Sequence, residues 1–265
     1  MFDLTGKVAV VTGAAQGMGQ AMSLALAEAG ADLILVDLNE QGARATADSI
    51  HALGRRALPV RCSVGDLGQI DALFQQLDDE FGKIDFLGNV AGQNVALGPP
   101  EETPIENLQT DLQNLVVGRF YMCQQAGRRM IEAGGGSIVN IGSLASVTAL
   151  GRGHVTYSMA MGAVVQMTRE LSTEWSGRGV RVNAILPAQV MNPGLEQRIA
   201  ADPQLEVKFL SGLPRGRIGR PDDIKGLSVL LASDDSSWIT GALIPMDGGN
   251  LAMNGGGSVG PRGNQ

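Results

Sequence analysis

The chain has 265 residues, enough for one large α/β domain or two small ones, and 44% of them are hydrophobic, enough to bury a substantial core. The formal net charge of -7 and the lack of any basic run argue against a nucleic-acid or anionic-membrane surface, so we expect small molecules and other protein chains as partners. No run reaches the ~18 apolar residues of a membrane helix, and the N-terminus has no apolar signal segment, which together favour a cytoplasmic protein.

The first predicted unit is a strand followed by a glycine-rich turn and a helix. Residues 7–12 are typical of a buried parallel strand, and the helical pattern after the turn ends at Gly30. The turn carries Gly13, Gly17 and Gly19, and glycines there let the backbone approach a pyrophosphate at the helix N-terminus. Because the chain has 37 glycines, the strand before and the helix after are what make this turn a strong sign of a dinucleotide site.

The second predicted strand, residues 32–36, is followed by Asp37. A carboxylate in this place can accept hydrogen bonds from both hydroxyls of an adenosine ribose, and it would repel a 2′-phosphate. Neither Gln16 nor Leu38 supplies a cation for such a phosphate, so we expect NAD rather than NADP as the cofactor. The alternative is that Asp37 only caps the helix that begins near Asn39.

The rest of the chain alternates between helices and strands, without a linker or an internal repeat. This alternation predicts an α/β fold, a single Rossmann-type, doubly wound parallel sheet of about seven strands with helices on both faces. We assign residues 1–253 to this domain and residues 254–265 to a glycine-rich tail that should be disordered. The further predicted helices are at residues 40–53, 66–81, 104–133 and 156–176 and from residue 220, and the further strands are at residues 57–62, 84–88, 136–141, 180–186 and 239–246.

The two cysteines, Cys62 and Cys123, indicate neither a disulfide framework nor a metal site. Their spacing fits neither pattern, and both lie in apolar segments. We therefore expect reduced, buried thiols and no bound metal.

Several segments together resemble the short-chain dehydrogenase/reductase family, and the resemblance covers residues 3–250. Ser143 is followed about a dozen residues later by Tyr157, as in the active-site segment of the family, but Met161 stands where the family has a lysine. The glycine turn has the family's spacing. Residues 89–92 (NVAG) resemble its Asn-Asn-Ala-Gly turn with one asparagine lost.

The resemblance also implies a set of cofactor contacts. Residues 187–192 resemble the family's Pro-Gly turn, whose threonine binds the nicotinamide carboxamide, and here the amide of Asn192 can make the equivalent bond. Ser63 stands where an aspartate often contacts the adenine amino group, and it is a weaker, neutral substitute. The implied cofactor-binding residues are Gly13, Gln16, Gly17, Met18, Gly19, Asp37, Leu38, Ser63, Val64, Asn89, Ala91, Gly92, Tyr157, Pro187, Val190 and Asn192.

The activity implied by the resemblance is the NAD-dependent interconversion of an alcohol and a ketone. A hydride can leave a carbinol carbon only if a proton leaves its oxygen, so Tyr157 would be the acid/base and Ser143 would polarise the oxygen. A free tyrosine ionises only at about pH 10. The family lysine, on the same helix face, favours the tyrosinate and holds the nicotinamide ribose. Met161 has neither charge nor donor, and we interpret it as a core or pocket filler.

A second residue of the family's proton relay is also replaced in this chain. The structural asparagine that helps hold a proton-relay water aligns with Leu115. Asn114 is one residue away, which turns a helical side chain by about 100°, so Asn114 could take this role only if the helix carries a bulge. Arg152 and His154 could contact a substrate or replace the acid/base, although a loop histidine is more often a solvated surface residue.

Two further expectations follow from the resemblance. Residues 193–214 lie where the family has its mobile substrate lid, and Met191, Leu195, Phe209 and Leu213 would form its apolar inner face. Family members are commonly homotetramers, and we expect a homotetramer here.

Two functions of different classes fit these residues. One is an NAD(H)-dependent oxidoreductase that acts on an alcohol or ketone with a weakened proton relay. The other is a catalytically impaired, NAD-binding subunit that stabilises or regulates an active partner of the same fold in a hetero-oligomer. Retention of Ser143 and Tyr157 favours the enzyme, since a pure scaffold needs neither. An engineered lysine-to-methionine change would leave Leu115 and Ser63 unexplained.

Overall fold

The computed structural model describes residues 1–92 and 97–253. Within these residues the chain forms one parallel sheet with helices on both faces, which confirms the predicted fold class. The predicted tail, residues 254–265, lies outside the described residues.

Seven strands make up the sheet. They are β1 (Val8–Thr12), β2 (Asp32–Asp37), β3 (Ala57–Arg61), β4 (Phe86–Asn89), β5 (Gly136–Ile141), β6 (Val180–Pro187) and β7 (Leu243–Met246). Their order is β3-β2-β1-β4-β5-β6-β7, and every neighbouring pair is parallel. Because the order reverses between β1 and β4, a crevice opens at the carboxyl ends of these two strands, where open α/β sheets bind their ligands.

Helices connect the strands and cover the sheet. The α-helices of the described residues are α1 (Gly17–Glu28), α2 (Glu40–Ala52), α3 (Leu67–Phe81), α4 (Ile105–Leu112), α5 (Gly118–Glu132), α6 (Val155–Trp175), α7 (Pro193–Ala201), α8 (Pro203–Ser211) and α9 (Lys225–Ala232). Short 3₁₀-helices are at Pro100–Glu102, Leu144–Ser146, Ser176–Arg178, Pro221–Ile224 and Asp234–Ser236.

Alternate residues of the strands divide the core into two layers, as the period of a strand requires. On β1, Val11 packs in the layer that includes Leu26 of α1 and Leu231 of α9. Its neighbour Val10 packs in the opposite layer, together with Leu73 of α3. Fully burying a side chain of this size stabilises the fold by about 1.5–3 kcal/mol. The sheet is therefore a rigid base for the loops at its carboxyl edge.

The predicted boundaries agree with the structure to within two residues, except at the last helix and the last strand. The helix predicted from residue 220 starts as the 3₁₀-helix Pro221–Ile224, and α9 begins only at Lys225. β7 begins at Leu243, four residues later than predicted. Gly241 turns the chain with a φ of 70°. The side chain of Asn183 donates to the carbonyl of Ile239 (2.9 Å) and accepts from the N–H of Ala242 (3.0 Å). These bonds use the carbonyl of Ile239 and the N–H of Ala242. A strand that began at residue 239 would need such groups to pair with β6.

The helix predicted at residues 104–133 is interrupted between α4 and α5 by a π-helical segment, Gln113–Val117. The segment leads into the start of α5, where Gly118 packs against the loop after β3. A Cβ added to Gly118 would overlap the carbonyl oxygen of Val64, so only a glycine permits this close approach. Such bulges occur frequently at functional sites.

We expect Gly118→Ala to lower the free energy of unfolding by about 1–3 kcal/mol, because the new methyl group forces the helix and the loop apart. Chemical denaturation measures this change. Gly162→Ala in the interior of α6 is the matched control, since a Cβ there meets nothing within 4 Å. That variant should gain about 0.5–1 kcal/mol. Equal stability of the two variants would contradict the proposed close approach.

Within the described part of the chain, no helix is long and apolar enough to cross a membrane. The same residues contain no group of three or more His, Cys, Asp or Glu side chains that could hold a metal ion. Cys62 and Cys123 are free and buried, as predicted. Burial raises the pKa of the Cys62 thiol to about 11 and that of the Cys123 thiol to about 12, so both stay protonated at neutral pH.

Candidate active site

The glycine turn between β1 and α1 leaves no room for side chains at two of its three glycines. A Cβ on Gly19 would overlap the carbonyl oxygen of Gly13, and a Cβ on Gly13 would lie 3.1 Å from the backbone of Ala91. Gly13 and Gly17 have φ values of 70° and 59°, which L side chains rarely adopt. A Cβ on Gly17 would meet nothing within 4 Å. The turn therefore presents bare backbone to open space.

The first turn of α1 offers N–H groups to the same space. Gln16, the residue before the helix, makes no side-chain cap bond, and the first turn has no acidic side chain. The N–H groups of Gly17, Met18 and Gly19 have no acceptor one turn earlier in the helix. Unpaired N–H groups and the helix dipole together favour an anion, so the turn fits the phosphates of a dinucleotide.

Asp37 is half-buried at the end of β2. One carboxylate oxygen accepts from the N–H of Ala15 (3.0 Å) and the other from the N–H of Asn39 (2.8 Å). The residue that caps α2 is Asn39, whose side chain accepts from the N–H of Gly42 (3.1 Å). The alternative interpretation of Asp37 as the cap of α2 is therefore wrong. Each of its oxygens keeps the capacity to accept a second hydrogen bond.

One cavity brings together most of the residues predicted to bind the cofactor. The predicted residues that line it are Gly13, Gln16, Gly17, Met18, Gly19, Asp37, Leu38, Ser63, Val64, Ala91, Gly92 and Asn192. Five lining residues were not predicted: Val36, Cys62, Val90, Asn114 and Leu115. The first three directly adjoin predicted residues at the ends of strands, so the strand-end rule could have found them. The resemblance had related the last two to the family's proton-relay asparagine, but not to the cofactor.

Four residues predicted to bind the cofactor lie outside this lining: Asn89, Tyr157, Pro187 and Val190. The side chain of Asn89 belongs to the core, where it donates to Oδ1 of Asn140 (3.0 Å) and to Sγ of Cys123 (3.2 Å). Pro187 is the buried last residue of β6. The backbone of Val190 pairs with Gly219 in an isolated bridge.

Asn192, whose amide was predicted to bind the nicotinamide carboxamide, caps α7. Its Oδ1 accepts from the N–H of Leu195 (3.0 Å), and its Nδ2 donates to the carbonyl of Val190 (3.2 Å). Asn192 also lines the cavity. Its Nδ2 keeps a second hydrogen and its Oδ1 a second lone pair for a carboxamide, and the contact stays a prediction.

The two candidate catalytic hydroxyls differ in their surroundings. Ser143 is 9% exposed after β5. Its Oγ accepts from the N–H of Ala145 (3.1 Å), and its N–H donates to the hydroxyl of Ser146 (3.1 Å). The Ser143 hydroxyl proton stays available to a bound oxygen. Tyr157 is half-buried in the first turn of α6, and among residues 1–92 and 97–253 its hydroxyl has no hydrogen-bond partner.

Leu115 and Met161 meet in one apolar cluster against which Tyr157 packs. The buried members of this cluster are Leu115, Ala145, Ala160, Met161 and Val164. Leu115 and Met161 are each 2% exposed. The positions that the resemblance gives to asparagine and lysine are thus filled by apolar side chains packed together. Because Leu115 also lines the cavity, the cluster joins the cavity to the tyrosine.

The π-helical segment supplies the bulge on which a role for Asn114 depended, and the side chain of Asn114 contacts Thr110 and Gly65. Its Nδ2 donates to the carbonyl of Thr110 (2.9 Å). Its Oδ1 covers Gly65 in the loop after β3, where it would overlap an added Cβ. Leu115, rather than Asn114, faces the cluster beside Tyr157.

The loop before α6 carries the two polar residues suggested for substrate contact. The imidazole of His154 lies edge-on to the ring of Tyr157, with the ring centres 6.4 Å apart. Arg152 has a left-handed φ of 60°. Its guanidinium lies over the ring of Phe209 in α8, 5.4 Å from the ring centre, in the geometry of a cation–π contact. This contact connects the loop to the segment predicted as a lid.

That segment consists of α7 and α8. Leu195, Phe209 and Leu213 are buried in one apolar cluster, and Met191 packs against them. The four apolar residues predicted for this segment therefore pack in one cluster, and its role as a substrate lid stays a prediction.

The sequence is similar to a known family and to known dehydrogenases over nearly its whole length. The family model described as enoyl-(acyl carrier protein) reductase matches residues 13–250. The D-threitol dehydrogenase of Mycolicibacterium smegmatis is 41% identical over 249 residues, which cover 94% of each chain. The NAD-dependent glycerol dehydrogenase of Listeria innocua is 36% identical over 248 residues, which cover 94% of this chain and 95% of that protein.

Solved structures agree with the fold. A short-chain type dehydrogenase/reductase from Mycobacterium marinum superposes with a TM-score of 0.87 at 32% identity, covering 94% of this chain and 97% of that one. A gluconate 5-dehydrogenase from Burkholderia cenocepacia, solved with NADP and tartrate, gives a TM-score of 0.89 at 28% identity, with coverage of 96% and 98%. Three of these relatives are named as dehydrogenases of D-threitol, glycerol and gluconate.

Proposed function

The chain belongs to the short-chain dehydrogenase/reductase family, and from this premise we propose that it is an NAD(H)-dependent oxidoreductase that interconverts an alcohol and a ketone at a site without the family lysine. The retention of both hydroxyls, Ser143 and Tyr157, carries the proposal. They lie beside an apolar cluster that continues into a cavity suited to a dinucleotide.

Two parts of the cavity would hold the cofactor. The N–H groups of Gly17, Met18 and Gly19 would bind the pyrophosphate, and the carboxylate of Asp37 would accept the hydroxyls of the adenosine ribose. When bound, NAD supplies the acceptor for the hydride that leaves the carbinol carbon.

The side chains of the protein handle the proton. The Ser143 hydroxyl donates to the substrate oxygen and orients it. In the oxidation of an alcohol, the tyrosinate form of Tyr157 takes the hydroxyl proton as the carbonyl double bond forms; in reduction, the phenol returns the proton. Because Met161 cannot favour the tyrosinate, alcohol oxidation suffers most near neutral pH. Carbonyl reduction needs only the neutral phenol and survives better.

A small polyol, or the ketone formed from it, is the substrate class that we propose. D-threitol and glycerol appear in the names of two relatives. A polyol presents further hydroxyls beside the reacting one, and these need polar partners. Arg152 and His154, on the loop next to Tyr157, supply such groups in this chain.

Replacing Asp37 with serine and Leu38 with arginine is expected to shift the preference from NAD toward NADP by about 100-fold, equivalent to about 2.8 kcal/mol. The change removes the carboxylate that repels a 2′-phosphate and adds a cation that binds it. The measurement is the ratio of kcat/KM for the two cofactors. The control for an added positive charge is Leu53→Arg, because Leu53 is an exposed residue after the end of α2. Preference of the unaltered chain for NADP would contradict the assignment of NAD.

The proposed activity is tested by titrating NADH and NADPH calorimetrically and by assaying a panel of polyols and the corresponding ketones in both directions. Binding of NADH together with turnover of at least one polyol or hydroxyketone supports the proposal. If neither cofactor binds and nothing on the panel reacts, the proposal fails.

A second candidate function is favoured by the apolar filling of the two relay positions, Leu115 and Met161. The chain would then be a catalytically impaired, NAD-binding subunit that stabilises or regulates an active partner of the same fold. NADH binding without turnover in either direction would favour this function over the first.

We also propose a homotetramer, because large apolar side chains on the described helices are exposed. Ile105 on α4, Phe120 on α5 and Met159 on α6 are 63%, 41% and 51% exposed, and Val117 in the π-helical segment is 42% exposed. Light scattering at several concentrations measures the mass; a stable monomer would contradict this assembly.

A further inference from the structure

Three consecutive residues of the loop before α6 have a left-handed backbone. Gly151, Arg152 and Gly153 have φ values of 64°, 60° and 75°. A Cβ on Gly153 would lie 2.7 Å from the backbone of Gly98, so this residue has to be a glycine. Glycine adopts a left-handed conformation without strain, but arginine does not. The turn therefore carries one strained residue at its centre, and such a residue persists only where its surroundings hold it in place.

The side chain of Arg152 is held by a single contact. Its guanidinium lies over the ring of Phe209 in α8, with Cζ 5.4 Å from the ring centre. With the residues of the two described ranges the guanidinium forms no salt bridge and no hydrogen bond. Phe209 is 7% exposed and belongs to the apolar cluster of α7 and α8. The exposed Arg152 is therefore fixed to a buried residue of α8 rather than to another surface side chain.

The same turn reaches Tyr157 through His154. Nδ1 of His154 lies 3.1 Å from the carbonyl oxygen of Arg152 and 3.3 Å from that of Gly151. The tautomer with its hydrogen on Nδ1 donates to these carbonyls. The imidazole also lies edge-on to the ring of Tyr157, with the ring centres 6.4 Å apart. A continuous row of contacts therefore runs from Phe209 on α8 to the proposed acid/base.

The segment of α7 and α8 has a second attachment beside the cofactor cavity. Asn192, which caps α7, lines this cavity, and Met191 packs against the cluster that contains Phe209. A segment attached at Asn192 and at Arg152 spans the space between the cavity and the ring of Tyr157. The substrate of the proposed reaction has to lie in this space, because it must meet both the cofactor and the tyrosine.

We propose that Arg152 is a positioning residue that docks α8 on the loop before Tyr157 and so holds the segment of α7 and α8 over the bound substrate. The strain at Arg152 persists because glycine, which would relieve it, offers no cation to the ring of Phe209. The ring occupies only the face of the guanidinium, so its N–H groups stay available to substrate hydroxyls. This inference rests on the proposed function, in which the substrate lies beside Tyr157.

Two variants separate the contact from the strain. Arg152→Met removes the cation and keeps the strained backbone, whereas Arg152→Gly removes both. Hydrogen–deuterium exchange of the protein without cofactor or substrate measures the docking of α8. In both variants the amides of residues 203–211 should exchange about threefold to fivefold faster than in the parent, and Arg152→Lys should restore most of the protection. The Tm of Arg152→Gly should exceed that of Arg152→Met by about 1–3 °C, because only the glycine relieves the strain.

Substrate kinetics supply the second readout. In Arg152→Met and Arg152→Gly, KM for the substrate should rise about fivefold while kcat stays within about twofold of the parent. Phe209→Leu keeps an apolar side chain but removes the aromatic face, and it should raise KM to a similar extent. Because both changes break one contact, the double variant Arg152→Met with Phe209→Leu should be little worse than either single variant.

Arg56→Met is the matched control. The guanidinium of Arg56 lies over the ring of Phe81, 4.2 Å from the ring centre, and Arg56 precedes β3 at the amino edge of the sheet, away from the site. Its removal should change neither the exchange of α8 nor KM. Unchanged exchange of α8 in both Arg152 variants would overturn the inference, and so would effects of Arg152→Met and Phe209→Leu on KM that simply multiply. If the unaltered chain turns over nothing while the exchange of α8 still depends on Arg152, the proposed function fails and the docking contact stands.

Discussion

Replacing Tyr157 with phenylalanine is expected to lower alcohol oxidation and carbonyl reduction by about 10²- to 10⁴-fold, the usual contribution of a positioned acid/base. The phenylalanine ring still packs against the cluster of Leu115 and Met161, so the fold and the NADH affinity should stay within a few-fold of the parent. Turnover in both directions and calorimetric binding of NADH measure the two quantities separately.

The pH dependence of alcohol oxidation by the unaltered chain tests the same role of Tyr157. Oxidation should climb steadily above about pH 8, because the fraction of tyrosinate grows toward the pH at which a phenol ionises. Tyr121→Phe is the control, since Tyr121 donates to Asp71 (2.6 Å) on an exposed part of the surface. A flat profile, or a Tyr157→Phe variant as active as Tyr121→Phe, would remove Tyr157 from the mechanism.

The second large effect is expected from rebuilding the missing relay. Met161→Lys together with Leu115→Asn should raise kcat/KM for alcohol oxidation near pH 7 by about 10- to 100-fold. Lysine four residues after Tyr157 favours the tyrosinate, and asparagine gives the buried lysine a polar neighbour in place of leucine. The gain should shrink at alkaline pH, because a free phenol ionises there without a neighbouring cation.

Met161→Lys alone should gain less and lose stability, because it places a charge among apolar side chains with no partner. Gln166→Lys is the control: it places a lysine on the same helix, at an exposed residue that is not part of the apolar surface proposed for assembly. Its activity and stability should match the parent. If the double variant binds NADH but remains as slow as the parent, the relay is not what limits this site, and the function as a non-catalytic subunit becomes the better explanation.

Much of the fold and part of the site follow from local pattern. Alternating strand and helix periods predict a parallel sheet with covered faces, and the structure has seven such strands. The glycine turn, Asp37 and the residues after the strands were predicted to bind a cofactor, and most of them line one cavity. These features are readable because a strand end followed by glycines and a helix has only one common geometry at the edge of a sheet.

Ser143, Tyr157 and Met161 were assigned through the resemblance to the family's active-site segment, in which the tyrosine and the lysine are four residues apart and share a helix face. Only the tertiary structure decided that Leu115 and Met161 belong to one apolar cluster, because they lie on different helical segments far apart in the chain. It also decided that Asn114 turns toward Gly65, through a π-helical segment for which the residues carry no clear signal.

Arg119 is the clearest example of a residue whose burial and contacts could not be predicted from the sequence. In the sequence it is one arginine in a helical stretch, and nothing local distinguishes it from an exposed charge. Its partners are backbone carbonyls at the ends of two strands, and a carbonyl has no residue-specific signature in a sequence. The amino-acid sequence therefore determined which groups this protein has for its chemistry. The packing of distant segments decided which of those groups are buried, which face the cavity and where the positive charge lies.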